Sequence, residues 1–205
     1  DVDRQALASR PDLIVRPADA YVGLRTDRTF VEAGTPLRYD AVVADVDGAP
    51  VAGLDVEVTA GRVQWSTRGG EATEEVVDPV TCSFTSSADP TDGSMACELP
   101  TEVGGEYRVT AVVTDTEGRR NRTQSTMWVA GEGAAPSRQV EQEQLTLVPD
   151  RETYAVGDTA QVLVQAPFDA ASGLMTISHH GIVRTEPFEI DDGGTVLEVP
   201  IDDAS

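Results

Sequence analysis

The chain has 205 residues, room for one or two domains, and its 40% apolar content is enough for packed cores, which excludes disorder throughout. Its formal net charge is -21, with 15 Arg and no Lys, so phosphate backbones and anionic membrane surfaces are repelled and nucleic acid is a poor partner. No apolar run reaches the roughly 18 residues of a membrane-spanning helix, and no signal peptide is visible, so no transmembrane segment is expected.

In chain order, residues 1–18 offer one strand, Leu13-Ile14-Val15, between Pro11 and Pro17; it reads as the end of an upstream module or as a lead-in strand. From Ala20 onward, short apolar-alternating runs are separated by turn residues, the pattern of an antiparallel sandwich. Strands are expected near 20–25, 37–46, 54–65, 80–85, 95–99, 106–114 and 123–130, seven in all, with Asp47-Gly48 as the clearest hairpin turn. Ser66 to Asp78 is polar and glycine-bearing and reads as an exposed loop. Gly131 to Gln144, with Gly, Ala and Pro and no apolar period, is the best linker. Five further strands follow near 145–148, 159–166, 173–178, 182–190 and 195–201. No segment carries a helical apolar stripe. The expectation is an all-β chain of tandem antiparallel β-sandwiches with Ig- or fibronectin-like architecture. Its parts are a lead-in over 1–18, a sandwich over 19–131, a linker over 132–144 and a partial, truncated sandwich over 145–205, excised from a longer protein.

Two stretches echo one another. In Asp150 to Phe168 an Asp-Arg pair and Tyr154 precede a corner at Val156-Gly157-Asp158, where glycine tolerates positive φ. Ala160, Val162, Val164 and Ala166 then alternate with Gln161, Leu163 and Gln165, the period of a strand with one buried face, until Pro167 ends it. In Asp27 to Val43 an Asp-Arg and Phe30 precede Gly34, and Leu37, Tyr39, Ala41 and Val43 form the apolar face. The spacing from aromatic to glycine differs by one residue, so the repeat is structural rather than literal.

Tyr154 to Phe168, Y-x-x-G-D-T-A-x-V-x-V-x-A-P-F, resembles the macroglobulin-like modules near the bait region of bacterial α2-macroglobulins. The first stretch agrees: Tyr21 to Arg25, the Asp47-Gly48 and Val51-Ala52-Gly53 turns, Gly104 to Val109, and Met127 to Gly131 are similar to the preceding module. The resemblance covers nearly the whole chain. It implies macroglobulin-like sandwiches that serve as scaffold in a large exported bacterial protein, periplasmic, cell-surface or extracellular. In such proteins protease cleavage of an exposed bait rearranges the array and traps the enzyme. The partners implied are other domains of the same parent protein and, through the parent, target proteases. The family's thioester motif, C-x-E-Q, is absent: Cys82 is followed by Ser-Phe-Thr and Cys97 by Glu-Leu-Pro. Ser66–Asp78 and Gly131–Gln144 are the exposed stretches here, but the resemblance puts the bait beyond Ser205.

The residues themselves suggest little chemistry. Cys82 and Cys97 flank a turn-rich SSADPTDG, a spacing that suits a hairpin-spanning disulfide worth about 3 kcal/mol in an oxidising compartment; the alternative is a pair of reduced thiols in a cytosolic protein. His179 and His180 are neighbours on a strand, point to opposite faces and read as a hairpin end rather than a metal site. The Asp-Gly clusters at 45–48, 89–93, 115–118 and 191–194 match no calcium loop and carry the residues that turns demand. No Ser stands in a nucleophile-elbow motif, and Glu74-Glu75 is not positioned for acid–base work. Asn121-Arg122-Thr123 fits a glycosylation sequon and reads as strand-edge polarity in a bacterial protein. Trp65 and Trp128 would stack on a sugar if both were exposed, but strand positions favour core or interface. The chain therefore reads as a non-enzyme with no cofactor and no metal, its site residues structural: Cys82 with Cys97 as a staple, Gly34 and Gly157 as corners. Two other readings stay open, Ig-like adhesion modules of a surface protein and an accessory carbohydrate-binding module.

Overall fold

A computed structural model describes residues 15–68, 71–89, 95–131, 145–166, 170–178, 181–191 and 193–202. The described residues form strands and turns without helix, in agreement with the all-β expectation. The first group of strands is β1 (Tyr21–Arg25), β2 (Phe30–Glu32), β3 (Leu37–Ala44), β4 (Asp55–Arg68), β5 (Glu71–Thr85), β6 (Met95–Leu99), β7 (Gly105–Thr114) and β8 (Arg120–Ala130). A three-stranded sheet of order β1-β3-β6 faces a five-stranded sheet of order β2-β8-β7-β4-β5. The alternation along β3 explains the layering. Leu37, Tyr39, Ala41 and Val43 point inward and are at most 1% exposed, while Arg38, Asp40 and Val42 point outward. They meet Val56, Val58 and Ala60 of β4, Val109, Ala111 and Val113 of β7 and Met127 and Val129 of β8 in one core. Each fully buried Val or Leu contributes about 1.5–3 kcal/mol of transfer free energy. Tyr39, the largest buried side chain, rests its hydroxyl 3.3 Å from the Ser125 hydroxyl, and burial pushes its pKa up despite that hydrogen bond.

Three expectations change here. Among the described residues the sandwich has eight strands, because Phe30-Val31-Glu32 forms a short strand that runs parallel to β8, with Phe30 beside Trp128 and Val31 beside Val129. Three residues are too few to show a period. Ser66 to Asp78 is not a loop in its described residues: β4 and β5 continue through it as a paired ribbon, with Val63 opposite Val76, Gln64 opposite Glu75 and Trp65 opposite Glu74. Strand β7 accompanies β4 only from Val56 to Arg62, so the distal ribbon has strand pairing but no second neighbour to impose an inside and an outside. Strand β3 ends at Ala44, not 46, because Asp45 opens a tight turn in which Gly48 N–H donates to the Asp45 carbonyl at 3.1 Å. Of the lead-in strand Leu13-Ile14-Val15 only Val15 is described, and it is exposed; the linker residues 132–144, His179, His180 and Pro167 lie outside the described residues.

The second group is β9 (Thr146–Pro149), β10 (Thr159–Gln165), β11 (Ala171–Ser178), β12 (Ile182–Ile190) and β13 (Gly194–Pro200). It begins the same pattern again. Strands β9, β10 and β13 form a sheet of order β13-β10-β9, the counterpart of β1-β3-β6, and β11 pairs with β12 as β4 pairs with β5. A small core of Val164, Ala166 and Ile190, flanked by Phe188 and Leu197, lies between the sheet and the hairpin.

Candidate functional site

Cys82 on β5 and Cys97 on β6 are joined by a disulfide with a Cα separation of 6.2 Å. It does not span a hairpin. Cys82 is opposite Val58 in the five-stranded sheet and Cys97 opposite Tyr39 in the three-stranded sheet, so the bond ties the two layers together at their edges. Spacing along the chain does not distinguish these geometries, because the strands that leave a turn are free to enter different sheets.

Gly34 and Gly157 stand at the start of β3 and β10 with φ of 88° and 97°, where any side chain is strained. Their surroundings match. Gly34 N–H donates to the Thr101 carbonyl just past β6 at 2.7 Å, and Gly157 N–H donates to the Ile201 carbonyl just past β13 at 2.8 Å. Each corner thus closes its three-stranded sheet at the same place.

Two of the Asp-Gly clusters, at 45–48 and 115–118, hold a carboxylate against backbone, while residues 90–93 and Asp192 of the other two lie outside the described residues. Asp45 Oδ1 accepts from the N–H groups of Asp47 and Ala49, both at 2.9 Å. Asp115 does the same for Glu117 at 3.0 Å and Arg119 at 2.8 Å, and its second oxygen takes Arg119 Nε at 2.9 Å. Burial raises the Asp115 pKa, but the N–H groups of Arg119, Asp19 and Glu117 and the Arg119 guanidinium outweigh it and hold the carboxyl below its usual range. Among the described residues no group of three or more His, Cys, Asp or Glu is placed to hold a metal ion, and no helix is long and apolar enough to cross a membrane. The sequon residues face the other layer: Asn121 Oδ1 accepts from Val22 N–H at 3.0 Å and the Thr123 hydroxyl donates to the Val22 carbonyl at 2.5 Å. Glu74 pairs with Arg108. Trp65 is 45% exposed on the ribbon, whereas Trp128 packs beneath the second group of strands.

That contact between the two strand groups is the most elaborate arrangement in the molecule. Val148, Leu163 and Val196 are cross-strand neighbours on β9, β10 and β13 and form one apolar row. The row packs on Phe30, Trp128 and Ala130. Leu163 is 1% exposed, so β10 is buried on both faces, and the assignment of Leu163 to a polar face is corrected. Beside the row lies a cleft of about 440 Å³ lined by Glu32, Trp128, Gln165, Asp191 and Thr195 among others.

At the end of the row sits Asp150, whose side chain is 1% exposed. One oxygen accepts from the Tyr154 hydroxyl at 2.7 Å and from Gln161 N–H at 2.9 Å. The other accepts from Arg28 of the first group and lies 3.3 Å from Arg151 Nε. Burial pushes this carboxyl up, yet the Tyr154 and Gln161 hydrogen bonds and the charges of Arg28 and Arg151 bring it below the usual range. The Tyr154 hydroxyl is raised by burial and by the same carboxylate. Thr29 completes the contact: its N–H donates to the Asp150 carbonyl at 3.0 Å and its hydroxyl to the Pro149 carbonyl. Asp27-Arg28 and Asp150-Arg151 occupy parallel copies of one motif, and the two copies touch, which the motif itself does not reveal. One signal was present: a leucine at 163 between two glutamines on an otherwise polar face.

The described residues are all-β, with two strand groups that begin the same sheet pattern and pack on one another at this junction. No family model matches the chain. The particular relation comes from sequence. An α2-macroglobulin homolog of Nostoc sp. is 22% identical over 173 residues, 82% of this chain and 9% of the relative, so the resemblance to bacterial α2-macroglobulins read from the motifs is borne out. Among solved structures, Escherichia coli α2-macroglobulin in its native conformation aligns with 92% of this chain and 13% of its own at 22% identity and a TM-score of 0.37. Salmonella α2-macroglobulin reacted with methylamine aligns with 91% and 13% at 21% identity and a TM-score of 0.38. The chain spans about a tenth of the length of these relatives.

Proposed function

We propose that the chain supplies two scaffold modules, over 19–131 and 145–205 with 132–144 between them, to a large exported α2-macroglobulin-like protein that traps proteases after bait cleavage. The observation that carries this reading is the sequence relation to an α2-macroglobulin homolog across 82% of the chain. The structural roles fit it. The Cys82–Cys97 bond staples the layers of the first module, Gly34 and Gly157 set matching corners, and neither module performs chemistry of its own. An exposed bait is not sought in Ser66–Asp78, since its described backbone is engaged in strand pairing. The test uses the intact parent protein incubated with trypsin or elastase. Activity toward a large protein substrate is expected to fall while activity toward a small chromogenic peptide persists, as steric caging requires. Undiminished cleavage of the large substrate would overturn the proposal. The 205-residue chain alone is expected to inhibit neither reaction.

A further inference from the structure

We infer that Arg28-Thr29 and Pro149-Asp150 form a clasp that sets the orientation of the second strand group on the first, and that it opens without unfolding either one. The apolar row of Val148, Leu163 and Val196 supplies adhesion but little direction, since burial of apolar area is non-directional. Direction comes from the polar contacts at its end. From the first group, Arg28 donates to the Asp150 carboxylate, Thr29 N–H to the Asp150 carbonyl and the Thr29 hydroxyl to the Pro149 carbonyl. These bonds join the turn before β2 to the turn after β9, so they fix rotation about the row as well as distance.

The two halves of the clasp differ in what else depends on them. Asp150 is also an internal strut of the second group, since Tyr154 O–H, Gln161 N–H and Arg151 converge on it. Asp150 N–H donates back to the Gln161 carbonyl at 2.8 Å. The side chains of Arg28 and Thr29 carry no such burden, the bonds of Arg28 to Thr26 being made by its backbone. Arg28 is 42% exposed, Thr29 is exposed, and neither belongs to the core of the first sandwich. Removing their side chains leaves the Asp150 carboxylate with its hydroxyl and N–H donors and the Arg151 charge, so it is not stranded as a bare buried charge. The clasp is thus detachable on the Arg28-Thr29 side and structural on the Asp150 side. This inference concerns the chain alone and does not rest on the protease-trap reading.

The experiment is a set of residual dipolar couplings on the whole 205-residue chain in a weakly aligning medium. In the unaltered chain one alignment tensor is expected to fit the amides of 20–130 and 146–200 together. In Arg28→Ala combined with Thr29→Ala, two tensors are expected, while amide shift dispersion in each group is unchanged. Arg28→Lys is expected to restore a single tensor in part, because an ammonium supplies the charge without the fork of a guanidinium. A companion variant, Asp150→Asn, discards the charge that holds Arg28 while keeping an oxygen for Gln161 N–H, and is expected to give two tensors as well, together with shift changes around Tyr154 and Gln161 that the double variant lacks. A single tensor in both altered chains would overturn the inference, and so would two tensors in the unaltered chain.

Discussion

On β3 the outward residue Asp40 meets water and pairs with Arg25 at 2.8 Å; on β10 the corresponding position, six residues past the corner glycine, holds Leu163, which is 1% exposed. The strands are otherwise built alike, each preceded by a left-handed glycine bonded to the strand that closes its sheet. Their inward faces both pack, in a large core for the first and a small one for the second. At the same position, then, Asp40 leaves the first three-stranded sheet facing solvent, while Leu163 stands at the centre of the apolar row by which the second docks on a neighbour. This difference makes the dependence lopsided. The first sandwich encloses its own core with eight strands, while the second group leans part of its apolar surface on Phe30, Trp128 and Ala130.

The largest effect is expected when β10 receives the residue of β3. Leu163→Asp places a carboxylate in the apolar row and is expected to cost about 3–5 kcal/mol of the second group's stability or to undock it. Urea unfolding followed by amide signals of each group separates these outcomes from no effect, which would show that the row contributes nothing. Next, reduction of Cys82–Cys97 is expected to lower the stability of the first sandwich by about 3 kcal/mol, given the 15-residue separation, and to leave the second group unaffected; thermal unfolding with and without dithiothreitol reads this. Gly34→Ala and Gly157→Ala sharpen the likeness: each forces a left-handed residue to carry a Cβ and is expected to cost about 1–2 kcal/mol, equally in the two groups. Unequal costs would show that the corners are not equivalent.

Acid gives a graded effect. Asp150 and Asp115 both have folded-state pKa values below their unfolded ones. Their contribution is therefore complete above the unfolded carboxylate value of about 4 and is lost as pH falls through the lower, folded values. Urea midpoints measured against pH are expected to drop in that acid window, and Asp150→Asn is expected to flatten the drop in the second group alone. The smallest effect is the reciprocal swap. Asp40→Leu removes an exposed ion pair and is expected to change stability by no more than about 0.5 kcal/mol.

How far the fold is legible in the sequence follows from what each strand buries. Leu37 to Val43 alternates because its partner layer is apolar, and Thr159 to Gln165 shows the same inward face, so both strands and their corners are readable from residues alone. The second buried face at Leu163 is hard to read because a strand buried on both sides departs from alternation here at a single position, and one leucine between Gln161 and Gln165 is a weak signal. Ser66 to Asp78 reads as a loop because the residues of the distal ribbon answer mainly to each other, so polar and acidic side chains are tolerated along it. The disulfide's partners are legible, but whether it spans a hairpin or joins two layers depends on which sheet each strand enters. Nothing in Asp27 to Phe30 or Val148 to Tyr154 announces that Arg28 reaches Asp150. That contact exists only once both sheets have formed.

The parallel pairing of β2 with β8 bears on the order in which the molecule is made. Phe30 emerges about a hundred residues before its register partner Trp128, which belongs to the last strand of the first group. The two side chains form the platform on which Leu163 rests, and that platform does not exist until the ribosome has passed residue 130. During synthesis the β2 segment must therefore wait unpaired while β3 to β7 are laid down, a long loop to close before any parallel contact rewards it. By the time β9 and β10 leave the tunnel, the surface that receives them has only just been assembled. Vectorial growth from the N-terminus thus matches the lopsided dependence, with the self-sufficient module first and the one that leans on it second.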